Sequence, residues 1–172
     1  MEEEKIFTVS IYSENNVGLL NRVSSIFLKR HINLESLTTS RSEIEDVNRF
    51  VIVAKMTETQ VKKIVKQLEK QIEVIRAYFH TDEETVFQES ALFKISTEHL
   101  YDEVIQRKLK FRQANIVTIT EDFFVIEASG SKNHVDKLYE RLKPYGLMQF
   151  VRSGRIAITR EKMAISELLQ EL

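Results

Sequence analysis

The sequence predicts an α+β protein made of two ferredoxin-like βαββαβ units in tandem, and three observations carry that reading. The apolar residues switch between a two-residue and a 3.6-residue period in the order β-α-β-β-α-β, and then do so again. Each pass takes about 75–80 residues, the size of a split βαβ unit. A short acidic run, His80-Thr81-Asp82-Glu83-Glu84, separates the two passes and contains nothing that favours burial. The expected organisation is therefore a first domain over 1–80, a linker over 81–84 and a second domain over 85–172.

In the first unit, residues 5–12 alternate, with Phe7, Val9 and Ile11 on one face of a strand and Thr8 and Ser10 on the other. Leu19, Leu20, Val23, Ile26 and Phe27 then recur at helical spacing. Residues 33–42, rich in Thr and Ser, read as a strand, and 48–55 hold the β-branched run Val51-Ile52-Val53. Thr57-Glu58-Thr59-Gln60 fits a capping box, in which the Thr hydroxyl and the Gln side chain satisfy each other's backbone N–H groups. It precedes a second stripe, Val61, Ile64, Val65, Leu68 and Ile72, and residues 74–79 close the unit as a strand.

The second unit starts with a strand over 91–95 and a helix stripe of Leu100, Tyr101, Val104, Ile105 and Leu109. Strands over 115–120 and 123–129 flank a tight Glu121-Asp122 turn. Ser131 can cap a helix bearing Val135, Leu138, Tyr139 and Leu142, which Pro144 and Gly146 terminate. A strand over 147–151, a turn at Ser153-Gly154, a short strand over 155–159 and a helix over 164–172 complete the chain. Both helices of such a unit lie on one face of its sheet, and a second copy would cover the other face economically. The expectation is a homodimer with C2 symmetry.

Composition narrows the function. The 172 residues carry 25 Lys+Arg against 26 Asp+Glu, so no global field holds a polyanion. Without cysteine there is no disulfide, thiolate metal site or Cys nucleophile. The acidic start, Met1-Glu2-Glu3-Glu4-Lys5, is unlike a secretion signal, and no apolar run nears the roughly 20 residues of a membrane span. A soluble, cytoplasmic protein is expected, with no nucleic acid and no membrane among its partners.

The informative stretch is Glu14-Asn15-Asn16-Val17-Gly18-Leu19-Leu20, between the first strand and the first helix. A helix start leaves backbone N–H groups unpaired and carries partial positive charge, which favours an anion. Gly18 lets a carboxylate approach the backbone, and the Asn15 amide can bond a carboxylate through its NH2 or an ammonium through its oxygen. Leu19, Leu20 and Leu34 add apolar surface, a combination that suits an aliphatic amino acid. Asn and Gly also occur at helix starts for capping and turn geometry alone, and Asn33 can simply open a strand.

The run Asn15-Asn16-Val17-Gly18-Leu19-Leu20-Asn21-Arg22-Val23, followed by Ile32-Asn33-Leu34-Glu35-Ser36-Leu37, resembles the N-terminal ACT domain of acetolactate synthase small (regulatory) subunits. Further on, Arg112-Gln113-Ala114-Asn115-Ile116-Val117, Pro144-Tyr145-Gly146 and Arg152-Ser153-Gly154-Arg155 resemble later segments of that family in the same order. The likeness implies an ACT domain followed by an ACT-like domain, in a chain that is itself not catalytic and holds neither metal nor cofactor. It implies a large catalytic subunit as partner, carrying thiamine diphosphate, Mg2+ and FAD. It further implies activation of that subunit and feedback inhibition by valine in branched-chain amino-acid synthesis.

The family's effector sits between two ACT domains. Matched by position, Asn15, Val17, Gly18, Leu19 and Leu20 of one chain and Asn33 and Leu34 of its mate would hold it. Two residues depart from the family pattern: Leu19 stands where relatives often have a smaller residue, and His31 where they usually have Gly. An apolar pocket separates valine, isoleucine and leucine by only about 1–3 kcal/mol per methylene.

Three other readings compete. An RNA-binding module shares the topology but needs exposed sheet aromatics in a basic setting, whereas Phe7 and Phe50 lack a flanking Lys/Arg cluster and Phe50 reads as core. An enzyme is disfavoured because His31, His80, His99 and His134 show no metal spacing and no nucleophile or phosphate motif occurs. A free-standing amino-acid sensor would not need the C-terminal likeness.

Overall fold

The computed structural model describes residues 2–110 and 114–163. Arg112 and Gln113 of the resemblance, and the helix expected over 164–172, lie outside the described residues. The chain divides into two compact units, Met1–Val86 joined by the segment from Arg155 onward, and Phe87–Gly154.

The first unit runs β1 (Lys5–Glu14), α1 (Leu19–Leu28), β2 (Leu34–Arg41), β3 (Val47–Met56), α2 (Glu58–Leu68) and β4 (Val74–Thr81). Its antiparallel sheet has the order β2-β3-β1-β4, the split βαβ arrangement expected from the sequence. Phe7, Val9 and Ile11 pack with Val23, Phe27, Ile52, Val61, Ile64 and Leu68 into one core between sheet and helices. The capping box at α2 is complete: Gln60 N–H donates to Thr57 Oγ1 at 3.2 Å and Thr57 N–H donates to Gln60 Oε1 at 2.8 Å. Ile72, expected on the α2 stripe, lies beyond the helix and is exposed.

Helix α1 ends in a Schellman motif. Ile32 N–H reaches back to Phe27 O and His31 N–H to Leu28 O, with His31 left-handed at φ 55°. This explains why glycine suits that position: a side chain there costs backbone strain that glycine avoids.

The opposite face of this sheet departs from the expected alternation, because Thr8 and Ser10 are as buried as the core side chains. The cover is the chain's own return segment, which includes β9 (Ile156–Thr159). The buried Arg155 guanidinium donates to Thr8 Oγ1 at 2.9 Å and to Asp82 Oδ1 at 2.5 Å. Arg49, over the Tyr12 ring, donates to Ser10 Oγ at 3.2 Å and to the Ala157 carbonyl at 2.5 Å. Arg160 N–H donates to Glu84 O at 2.8 Å. Part of the covering that the sequence reading assigned to a second copy is thus supplied in cis. The return segment, expected to close the second domain, groups with the first unit, while its strand β9 pairs with β5.

Residues 81–84 form a tight turn. The Glu84 carboxylate accepts from Thr81 N–H at 2.7 Å and Thr81 Oγ1 at 2.9 Å, so the acidic run is ordered by its own hydrogen bonds. These bonds to the charged form hold the Glu84 carboxyl below its ordinary range.

The second unit contains most of β5 (Thr85–Ser96), then α3 (Glu103–Lys110), β6 (Asn115–Ile119), β7 (Phe123–Gly130), α4 (Lys132–Leu142) and β8 (Leu147–Arg152), with strand order β6-β7-β5-β8. Phe93, Ile95, Ile105, Phe124, Ile126, Val135, Leu138 and Leu142 form its core. Ser131 caps α4, accepting from His134 N–H at 3.3 Å. The stripe expected from Leu100 starts later: Thr97–His99 forms a 3-10 turn, and Tyr101 is exposed ahead of α3. Asp102 accounts for the shift. Its carbonyl accepts from Gln106 N–H at 2.9 Å, and its carboxylate pairs with His99 Nδ1 at 2.7 Å.

Candidate functional site

Asn15 to Gly18 connect β1 to α1. Gly18 is the residue before the helix, with φ 86° and ψ −6°, a left-handed conformation that glycine adopts without strain. An added Cβ at Gly18 would meet no atom within 4 Å, so the backbone there is open to solvent. Asn16 O accepts from Leu19 N–H and Gly18 O from Arg22 N–H, each at 3.3 Å, which closes the turn onto the helix. Among the described residues, no side chain caps the α1 N-terminus and no acidic residue sits in its first turn. The helix start therefore keeps the partial positive charge and N–H donors that an anion would use.

The other groups of the turn divide by polarity. Asn15 Oδ1 accepts from Asn48 Nδ2 at 2.9 Å, which leaves the Asn15 NH2 as the end that faces away from β3. The Glu14 carboxylate, which accepts from Asn16 Nδ2 at 2.9 Å, is the acidic group of the turn and suits an ammonium. One anionic group beside a set of donors is complementary to a zwitterion.

Val17 is fully exposed and Leu20 45% exposed, so both present apolar surface at the mouth of the turn. Leu19 differs from the expectation of apolar lining: its side chain is buried in the core, and it faces the turn with its backbone N–H. Asn33 is exposed immediately before β2, and Leu34 is half-buried against the core. These two follow the C-terminal end of α1, about 15 Å of helix away from the turn. One chain thus brings Asn15, Val17, Gly18, Leu19 and Leu20 together and leaves Asn33 and Leu34 apart from them.

Sequence reasoning missed Asn48, which is 33 residues from Asn15 and joins it only through the β1–β3 register. It also missed Leu28, exposed on the last turn of α1 and about 80° around the helix from Leu20. Leu28 stood next to Phe27 and blended into the core stripe. Among the described residues, no three His, Cys, Asp or Glu side chains converge as metal ligands. No described helix is long and apolar enough to cross a membrane.

Comparison with known proteins covers both units. The family model described as "AHAS small subunit-like ACT domain" matches residues 9–76, which include the whole turn, Asn33 and Leu34. The model described as "Small subunit of acetolactate synthase" matches residues 88–161. The chain is 33% identical to the acetolactate synthase small subunit of Bacillus subtilis over 91% of each chain. It is 32% identical to a probable acetolactate synthase small subunit of Archaeoglobus fulgidus, over 89% of this chain and 96% of that one. Among solved structures, the acetolactate synthase small subunit of Thermotoga maritima superposes with a TM-score of 0.82 at 26% identity, covering 92% of this chain and 99% of that one. Its two α+β units and its likeness over nine-tenths of its length make this chain a member of the acetolactate synthase small-subunit family, the non-catalytic regulatory chains of that synthase.

Proposed function

We propose that the chain binds a branched-chain amino acid, valine first among them, at the 15–20 turn, and through it confers feedback inhibition on the catalytic large subunit that it activates. The observation that carries this reading is Gly18: a left-handed, uncapped helix start with open space where a side chain would stand. The effector carboxylate would lie against the N–H groups of the first helical turn and the Asn15 NH2. Its ammonium would face Glu14, and its aliphatic side chain would lie against Val17 and Leu20.

The site is completed by a second copy of the chain, whose Asn33 and Leu34 close the cavity in a C2 dimer. Two features support that arrangement. Strand β2 is a sheet edge, and Val17, Leu20 and Leu28 on and around α1 are apolar and exposed among the described residues. The thiamine diphosphate, Mg2+ and FAD of the reaction belong to the large subunit, and this chain acts in the cytoplasm by changing that subunit's state. Valine can drive such a change only through unequal affinity for two states of the complex.

Gly18→Asp tests the reading. Aspartate tolerates a left-handed backbone better than most residues, and it places a carboxylate where the effector's would bind. With the reconstituted synthase, the variant is expected to activate the large subunit while valine no longer inhibits. Normal valine inhibition of that variant would remove the site assignment.

A further inference from the structure

We infer that Asn48 is a positioning residue of the effector turn: by holding the oxygen of the Asn15 amide, it decides that the turn offers donors to its ligand. The inference rests on the proposed binding of an amino acid at the 15–20 turn and adds a residue to which neither the turn motif nor the site matched by position points.

A primary amide is nearly symmetric in shape and opposite in polarity at its two ends: the oxygen accepts and the NH2 donates. An unheld Asn15 could turn either end toward a ligand, offering an acceptor to an ammonium or two donors to a carboxylate. Asn48 engages the oxygen end, because its Nδ2 donates to Asn15 Oδ1 at 2.9 Å. With the oxygen engaged, the NH2 is the end left for the ligand. It adds to the N–H groups of the uncapped α1 start, so that the donors converge on one anion.

Asn48 suits this task because of where it stands. It is the second residue of β3, paired with Ser13 of β1 on one side and Arg41 of β2 on the other. Its neighbour Arg49 is tied to Ser10 and to Ala157. The polarity of a short loop is thereby set from a strand held on both edges, and a fixed amide loses less entropy on binding than a free one.

The test is calorimetric titration of the full-length wild type, Asn15→Ala, Asn48→Ala, Asn48→Asp and the Asn15→Ala/Asn48→Ala double variant. The ligands are valine, 3-methylbutanoate (valine without its amine) and isobutylamine (valine without its carboxylate). Asn48→Ala should weaken valine about tenfold, the worth of one oriented hydrogen bond to a charged group. It should also narrow the preference for 3-methylbutanoate over isobutylamine. Asn48→Asp should go further and reduce binding of both carboxylates, because an acid can only accept and draws the Asn15 NH2 to itself.

In the Asn15→Ala background, adding Asn48→Ala should change nothing, an outcome that general loosening of the strand would not produce. Thermal melts of each variant establish that the proteins compared are folded. Valine binding that responds to Asn15→Ala but not to Asn48→Ala overturns this inference alone, as do additive losses in the double variant. Absence of valine binding to the wild type overturns the effector reading and this inference with it.

Discussion

The two units share a topology and differ at the corresponding turn, where the first strand meets the first helix. In the first unit that turn is short, uncapped and open around Gly18. In the second it is a 3-10 turn followed by Asp102, and the His99 ring fills it, edge-on to Tyr145 at a centroid distance of 6.0 Å. Gly146 lies under that ring: a Cβ there would come within 2.8 Å of His99 Cδ2. The same fold thus leaves one helix start open and packs the other with its own side chains among the described residues.

The sheets contrast in the same way. The outer face of the first sheet, where Thr8 and Ser10 lie beside Val53 and Val51, is bonded to the return segment through Arg155 and Arg49. Leu92 and Val151, paired across β5 and β8 on the outer face of the second, are about half exposed.

The largest effect that would sharpen this comparison is expected from Arg155→Met. It strips the donor from Thr8 and leaves the partly exposed Asp82 without its cation, at a cost of about 2–3 kcal/mol. A lower urea midpoint, read by a probe in the first unit, is the expected result, and an unchanged midpoint would deny the return segment a structural role. Next come the two left-handed glycines. Gly146→Ala should cost about 2 kcal/mol, combining backbone strain with the clash against His99, whereas Gly18→Ala should cost about 1 kcal/mol from strain alone. Adding His99→Ala to each should bring the two increments together. Equal costs before that addition would break the distinction between a filled and an open turn.

The caps differ by less. Thr57→Ala removes a reciprocal box and should cost about 1 kcal/mol, while Ser131→Ala removes a single bond and should cost about 0.5 kcal/mol. Denaturation of the paired variants ranks them. The smallest effect concerns Glu84, whose carboxyl is held below its ordinary range by Thr81. Its contribution is complete above the unfolded carboxylate pKa and disappears as pH falls through the lowered folded value. An NMR titration of Glu84 should return toward the ordinary value in Thr81→Val, which keeps the backbone donor and removes the hydroxyl.

Local rules made much of the first unit legible. The Phe7/Val9/Ile11 alternation, the α1 and α2 stripes and the Thr57–Gln60 box are decided within a few residues, and the structure has them where those rules place them. What escaped is decided by partners far along the chain. Thr8 and Ser10 read as a face for a second copy to cover because nothing near them announces Arg155, 147 residues away from Thr8. Tyr101 fitted a helical period but precedes the helix, since the His99–Asp102 pair fixes a tighter turn first. The turn at Gly18 was visible as a motif, whereas Asn48 was not, because its part comes from strand register rather than from sequence spacing.

The RSGR stretch spans the boundary at which the chain leaves the second unit and rejoins the first. Arg152 pairs with Asp136 and Glu89, while Arg155, three positions later, pairs with Asp82. A fragment ending near residue 86 would therefore lack the last piece of its own unit, leaving Thr8 and Asp82 without Arg155 and Arg49 without the Ala157 carbonyl. Anyone wishing to study effector binding in a minimal protein should graft residues 155–160 back onto it by a short tether instead of cutting the gene in two.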